Sequence, residues 1–323
     1  MRKEETPCGY PCMPEKQGKK RKGMDKLLFI VNPCSGREQI RNQLIDILDI
    51  FTKAGYSIQV YVTQRRGDAK ETVISQGEDA LTVVCSGGDG TLNETVSGLM
   101  KLKNPPVLGY IPAGSTNDFA SSLMLPKKMK EAAQTVVEGK LYPIDIGQFG
   151  EERYFIYIAA FGAFTEISYQ TPQDKKNILG HQAYMLEGVK SLASLKSSYC
   201  RIECEEMVLE DEFIFGMVTN TISVGGFKGL VTQSVALNDG LFEVLLIRTP
   251  KTPKDLSNII SYMFLKEEPN DYVYKFKTKK IRVVSKEPID WVLDGEFGGS
   301  QTDITMENLE KRLEIIIPDE KES

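Results

Sequence analysis

Two short stretches hold most of the residues able to do chemistry. The first, Ser86-Gly87-Gly88-Asp89-Gly90-Thr91-Leu92-Asn93-Glu94, follows the apolar run Leu81-Thr82-Val83-Val84-Cys85 and precedes Val96, Leu99 and Met100 at helical spacing. That pattern is a strand, a glycine turn and the start of a helix. Glycines let a ligand approach bare backbone, and the unpaired N–H groups that open a helix favour an anion such as phosphate. Three glycines after a buried strand also serve a tight strand-to-helix connection, so the turn alone does not decide. Two familiar phosphate patterns are excluded: GxxxxGK[ST] is absent, and position 93, where GxGxxG needs its third glycine, is Asn93. The second stretch, Asp294-Gly295-Glu296, taken by itself reads as a hairpin turn.

The elements around the first stretch alternate strand and helix. Apolar runs at Leu27 to Val31, Ser57 to Val62, Leu81 to Cys85 and Val107 to Ile111 predict strands. Ile40, Leu44, Ile45, Leu48 and Phe51 mark one helix face, and helices are also predicted over Asp68 to Ser75 and Thr91 to Leu102. Short strands joined by such helices imply right-handed crossovers and a mostly parallel sheet, whose ligands sit at the carboxyl ends of the strands. Four polar turns fall at that end: Asn32-Pro33-Cys34-Ser35-Gly36, Thr63-Gln64-Arg65-Arg66-Gly67-Asp68, the glycine turn, and Pro112-Ala113-Gly114-Ser115-Thr116-Asn117-Asp118. Their convergence turns a common connection into a candidate binding edge.

Past Gly147 the sequence becomes strand-rich. Strands are predicted over Arg153 to Phe161, Ser198 to Cys204, Phe213 to Val224, Leu241 to Arg248, Tyr272 to Ser285, Ile289 to Leu293 and Arg312 to Ile317, with helical inserts near 179–195 and 253–265. The expected fold is an α/β amino-terminal domain with a mostly parallel sheet (24–147) and a β-rich, antiparallel, sandwich-like carboxyl-terminal domain (148–318), the active site lying in the cleft between them. A basic leader (1–23) is expected to be disordered, and 319–323 is a tail.

Composition excludes several classes. Apolar residues make up 41% and charged residues 26% of 323, an ordinary globular balance. No apolar run approaches the roughly 18 residues of a membrane span. The leader carries Arg2, Lys3, Lys16, Lys19, Lys20, Arg21 and Lys22 but no apolar core, so it is not a secretory signal. The rest of the chain is acidic, and no nucleic-acid partner is expected. Cys8, Cys12, Cys34, Cys85, Cys200 and Cys204 are scattered as in a reduced, cytoplasmic protein. The single histidine, His181, leaves neither a Ser-His-Asp triad nor a histidine-ligated metal a set of partners.

Over nearly its whole length the chain resembles the diacylglycerol-kinase-type lipid kinases, particularly the soluble bacterial members. The matching pieces are Asn32-Pro33-x-Ser35-Gly36, Gly87-Gly88-Asp89-Gly90-Thr91-x-Asn93-Glu94, Pro112-x-Gly114-Ser115-Thr116-Asn117-Asp118-Phe119-Ala120, Asn238-Asp239-Gly240-Leu241 and Asp294-Gly295-Glu296. The resemblance implies ATP as phosphoryl donor, held by Asn32, Pro33, Cys34, Ser35, Gly36, Thr63, Gly87, Gly88, Asp89, Gly90, Thr91, Asn93, Ser115 and Thr116. It implies Asp294 as the base that takes the acceptor's proton, with Glu296 as second candidate for base or for contact with nucleotide and metal. It implies Mg2+ as cofactor, and a magnesium ion remote from the chemistry, held by Asp239 and the carbonyls of Ala236 and Leu241 and linked through Asp239 to Asp89 and Asp118.

The implied acceptor is a lipid primary hydroxyl, foremost diacylglycerol, met at the inner membrane face by an otherwise cytoplasmic protein; a homodimer is compatible with this. A sphingoid base, another glycerolipid alcohol, or a non-catalytic nucleotide- and lipid-binding regulator are the alternatives. Phe161, Phe164, Ile167, Tyr184, Met185, Leu186, Val189 and Leu192 are candidates for an acceptor groove, and Leu123-Met124-Leu125 beside Lys127, Lys128 and Lys130 for a membrane contact. A stripe at helical spacing is more often core, and the second set more often a solvated loop and helix start. The chain departs from the family pattern at Arg37-Glu38-Gln39, where glycine or lysine often follows the first motif.

Overall fold

The computed structural model describes residues 25–35, 39–114, 117–162, 197–221, 223–224, 227–228, 236–252, 254–256, 258–259 and 271–319. Gly36, Ser115, Thr116, His181, the leader and the 179–195 insert lie outside them. The first half runs β1 (Asp25–Val31), α1 (Gln39–Lys53), β2 (Tyr56–Val62), α2 (Asp68–Gln76), β3 (Thr82–Gly87), α3 (Asp89–Leu99), β4 (Val107–Pro112), α4 (Asp118–Ser122) and α5 (Met129–Glu138). Then follow β5 (Lys140–Phe149), β6 (Arg153–Phe155), β7 (Ile158–Gly162), β8 (Ser198–Cys204), β9 (Val208–Thr219), β10 (Ser223–Val224) and β11 (Phe227–Lys228). The last four strands are β12 (Phe242–Arg248), β13 (Val273–Thr278), β14 (Lys280–Leu293) and β15 (Glu296–Ile317).

β1 pairs in parallel with β2 and β3, and β3 with β4. An inner strand covered on both faces must be apolar at every position, which is why Leu27 to Val31 shows no alternation. Leu27, Phe29 and Val31 pack against Ile40, Ile47 and Phe51 of α1 and Met129, Ala133 and Val136 of α5. Leu28 and Ile30 face the other way, toward Ala69 and Val73 of α2 and Leu92, Val96 and Leu99 of α3. On α1 the buried stripe runs through Ile47; Ile45, expected on it, is 75% exposed.

Among the described residues thirteen strands form one sheet, ordered β13-β12-β9-β7-β14-β15-β4-β3-β1-β2 with β5, β6 and β8 beside this path. β15 joins the halves: its first part pairs antiparallel with β14, its last part with β5, and Ile315 sits parallel to Leu108 of β4. Position 147 lies within β5. β7 and β8 lie end to end between β9 and β14, so residues 163–196 interrupt what is otherwise one strand line. Phe149, Phe155, Phe161, Phe213, Phe242, Trp291 and Met306, from seven strands, meet in one core. Phe161, a candidate groove residue, is 1% exposed and packs edge-on against Trp291; the other groove candidates lie outside the described residues.

Of the 253–265 helix, 254–256 and 258–259 are helical. Among the described residues no helix is long and apolar enough to cross a membrane.

Candidate active site

The four turns are clipped together at the strand ends. The Asn32 amide donates to the Ser86 carbonyl at 2.9 Å, and its side chain donates to Thr91 Oγ1 at 2.8 Å while accepting from the Cys34 amide at 3.0 Å. The first turn, which carries Pro33 and Ser35, is thereby fixed to the opening of α3. The Thr63 amide donates to the Val31 carbonyl at 2.9 Å and its hydroxyl is buried beside the same strand end. Gly87 O accepts from the Ala113 amide at 2.8 Å and from the Tyr110 hydroxyl at 3.2 Å.

Gly88 and Gly114 then meet backbone to backbone. A Cβ on Gly114 would fall 2.7 Å from the Gly88 Cα and 2.7 Å from Asn117 Oδ1. Asn117, itself left-handed at φ 50°, brackets Gly114 by accepting from its amide at 2.9 Å and donating to its carbonyl at 2.8 Å. No side chain caps α3 at Gly88, so its first amides keep the donor capacity that an anion needs.

The second turn is anchored to the same helix. Asp68 accepts the Gln64 amide at 2.7 Å and the Arg65 amide at 3.0 Å, and the Gln64 amide foremost holds its carboxyl below the ordinary value. The Gly67 amide donates to Glu94 of α3 at 2.8 Å.

Asp294 and Gly295 are the two central residues of the β14–β15 hairpin, at φ 50° and 85°. Two positive φ values make the tight turn that suits the twist of the strands, and Asp-Gly is the pair that tolerates it. The Asp294 carboxylate points inward and is 2% exposed. Oδ2 accepts from Asn93 Nδ2 at 2.6 Å and the Ile156 amide at 2.7 Å; Oδ1 accepts from the amides of Tyr157 at 3.0 Å and Ile158 at 3.1 Å. A carboxylate has about four lone-pair positions, and all are taken. Burial pushes its pKa up, and the three amides and Asn93 pull it back.

Two residues on, Glu296 faces outward with a side chain 56% exposed. Its Oε1 stands 3.4 Å from where a Cβ on Gly90 would be, and its Oε2 lies 3.3 Å from Arg66 Nη2. Asn93 and Asp294 thus bolt the hairpin to α3, and the bolt brings an exposed carboxylate to the rim of the glycine turn. Asn93 also donates to the Tyr154 carbonyl at 3.1 Å.

Asp89 lies behind that rim. Burial first, then the charges of Asp118 and Asp294, push its carboxyl up to about 7, against the pull of the Asn117 and Asp118 amides. Its Oδ1 is buried with no hydrogen-bond partner among the described residues. Tyr110 and Tyr157, buried beside it, are pushed up by burial and next by Asp89's charge.

A model of the diacylglycerol kinase catalytic domain matches residues 26–149, which span all four turns. A diacylglycerol kinase of Bacillus subtilis (strain 168) is 37% identical over 305 residues, covering 92% of this chain and 98% of the relative. The chain belongs to the diacylglycerol kinase family. The family's diacylglycerol kinase of Staphylococcus saprophyticus is 34% identical over 294 residues, covering 90% of this chain and 95% of its own. A crystal structure of a diacylglycerol kinase from Bacillus anthracis str. Sterne shares the fold, with a TM-score of 0.71 at 23% identity over 92% of this chain and 98% of that one.

The Asn238-Asp239-Gly240 turn has its own neighbours. Asp239 accepts from the Leu241 amide at 3.1 Å and pairs with Lys277 at 3.1 Å, and Lys277 also reaches the buried Glu243 at 2.9 Å. Ala236 precedes the turn, and the Leu237 carbonyl accepts from the Asp145 amide at 2.8 Å. Asp145, unremarked in the sequence reading, holds the turn: Oδ2 accepts from the Gly240 amide and Oδ1 from the Lys311 amide, each at 2.7 Å. Its signal was available, since Ile144-Asp145-Ile146 sets a carboxylate between two apolar strand residues. The charges acting on Asp89 are those of Asp118 and Asp294, whereas Asp239 acts on Asp145 and Glu243. Among the described residues no group of three Asp, Glu, His or Cys side chains converges as metal ligands.

Proposed function

We propose that the chain transfers the γ-phosphoryl group of ATP to the primary hydroxyl of diacylglycerol, giving phosphatidic acid and ADP. The observation that carries this reading is the Asn93–Asp294 bond of 2.6 Å, which brings the outward Glu296 carboxylate to the glycine turn. The donor phosphates would lie over Asn32 to Gly36, Thr63, the turn from Gly87 to Thr91, and Ser115 and Thr116. Unpaired amides at the start of α3 answer their charge. The lipid hydroxyl oxygen bonds to the γ-phosphorus, the bond to the β,γ-bridging oxygen breaks with its electron pair leaving on ADP, and the hydroxyl proton goes to a carboxylate.

For that acceptor we propose Glu296 rather than Asp294. Exposure supports Glu296; the two oxygens of Asp294 already accept from four N–H donors, which leaves no open acceptor position for a substrate hydroxyl. Asp294 is then a positioning residue that fixes the hairpin. Residues 24–147 would bind nucleotide and 148–318 the acceptor, with the reaction in the cleft between them.

Magnesium, when bound with the nucleotide, would offset the charge of the phosphates. A second ion, remote from the chemistry, would be held by Asp239 and the carbonyls of Ala236 and Leu241. Oxygen ligation suits a hard cation, and the ion would take the place beside Asp239 that the Lys277 ammonium holds at 3.1 Å. The acceptor would arrive from the inner membrane face, where Met124, 75% exposed at φ 53°, stands beside Lys127 and Lys128.

Labelled ATP with micellar diacylglycerol, a sphingoid base and NAD tests the reading. Label in phosphatidic acid is expected, with Glu296→Gln reducing kcat by about 10²–10⁴-fold. Label in NAD alone, or in no lipid, overturns it.

A further inference from the structure

The Thr63–Asp68 turn carries two adjacent arginines with different partners. Arg65 is tied to its own helix, with Nε 3.0 Å from Asp68 and Nη2 2.9 Å from Glu71. Arg66 reaches instead across to the β14–β15 hairpin, and its Nη2 lies 3.3 Å from Glu296 Oε2. The backbone on both sides of Arg66 is pinned, by Asp68 to the amides of Gln64 and Arg65 and by Glu94 of α3 to the amide of Gly67. Gly67 holds φ 91°, which lets the chain turn there. Arg66 is therefore anchored to the helix whose opening amides would take the phosphates, while its side chain remains 74% exposed.

We infer that Arg66 is a γ-phosphate ligand that pairs with Glu296 until ATP arrives. The inference rests on the kinase reading above. An exposed ion pair of this kind is weak and easily exchanged. Guanidinium matches phosphate oxygens in a two-pronged geometry, and a terminal phosphate carries more charge than one carboxylate, so it displaces Glu296 from Arg66. The exchange frees Glu296 to take the acceptor's proton only when the donor is in place. ADP lacks the γ-phosphate and leaves the Arg66–Glu296 pair intact.

Equilibrium binding of ATP and of ADP to the full chain, with no lipid present, tests this. Arg66→Gln is expected to weaken ATP about tenfold and ADP by less than about twofold. Glu296→Gln, which removes the competing carboxylate, is expected to tighten ATP severalfold, and that gain disappears when Arg66→Gln is also present. A gain that persists in the double variant, or an Arg66→Gln chain that binds ATP as the wild type does, overturns the inference while leaving the kinase reading standing. A wild-type chain that binds no ATP overturns both. Thermal melts of each variant keep loss of binding separate from loss of fold.

Discussion

Asp294→Asn separates a base from a brace. Asparagine accepts the left-handed backbone of position 294 as readily as aspartate does, so the turn is not disturbed. Its amide keeps one oxygen and replaces the other by NH2. Either way round, two of the N–H donors from Ile156, Tyr157, Ile158 and Asn93 then face another donor instead of an oxygen. A buried donor left unmet costs about 1–3 kcal/mol, so the substitution is expected to cost roughly 2–6 kcal/mol. Against a typical stability of about 5–15 kcal/mol this is a large fraction.

Urea unfolding read by far-ultraviolet circular dichroism, with and without ATP, gives the number. Glu296→Gln is expected to stay within about 1 kcal/mol of wild type, since it loses only an exposed pair with Arg66. The two variants should therefore be opposites, one unstable and the other stable but inactive. An Asp294→Asn chain that unfolds at the wild-type urea concentration and loses about 10³-fold in kcat would refute the reasoning and return the base to Asp294.

Asp89 predicts a pH dependence. Its carboxyl is raised in the fold from 3.8 to about 7, so between those values the folded chain holds a proton that the unfolded chain has released. Stability should fall as pH rises through that window, by up to ~4 kcal/mol, in nucleotide-free protein, and Asp89→Asn should flatten the slope. A wild-type urea midpoint that is constant from pH 4 to 7 contradicts this. For the remote turn, Mg2+ added to EDTA-treated protein is expected to raise the melting temperature, and Asp239→Ala to abolish the rise while ATP affinity changes less than about twofold. A rise of the same size in Asp239→Ala would place the ion elsewhere.

The amino-terminal elements were legible because their physics is local. A strand covered on both faces has to be apolar throughout, and a turn that brings backbone to a ligand has to be glycine whatever surrounds it. The carboxyl-terminal half was less legible because its interruptions have distant causes. Arg153 to Phe161 reads as one strand, yet β6 ends at Phe155 so that the amides of Ile156, Tyr157 and Ile158 can turn to Asp294. Tyr272 to Ser285 also reads as one strand and breaks at Lys279, whose carbonyl accepts the Asn308 amide while Thr278 bonds Lys280. β5 was not read at all, since Lys140 to Phe149 contains Pro143 and the buried Asp145. Arg66 does not stand out by type or spacing, and Asp145 shows only as a carboxylate between two apolar residues; each matters through a partner far along the chain.

The Asp294-Gly295-Glu296 tripeptide shows why turn and site need not be alternatives. A two-residue hairpin turn with both φ values positive points its first side chain back across the strands, and the strand resumes at the third residue. Asp294 is therefore carried inward to the amides of the β6–β7 link and to Asn93, and Glu296, the first residue of β15, is carried outward to Gly90 and Arg66. The buried carboxylate is costly to desolvate, and only a full set of donors offsets that cost. Those donors come from both the carboxyl-terminal half and α3, so the buried carboxylate holds the two halves in register. The carboxylate left over, Glu296, is the one exposed beside the glycine turn.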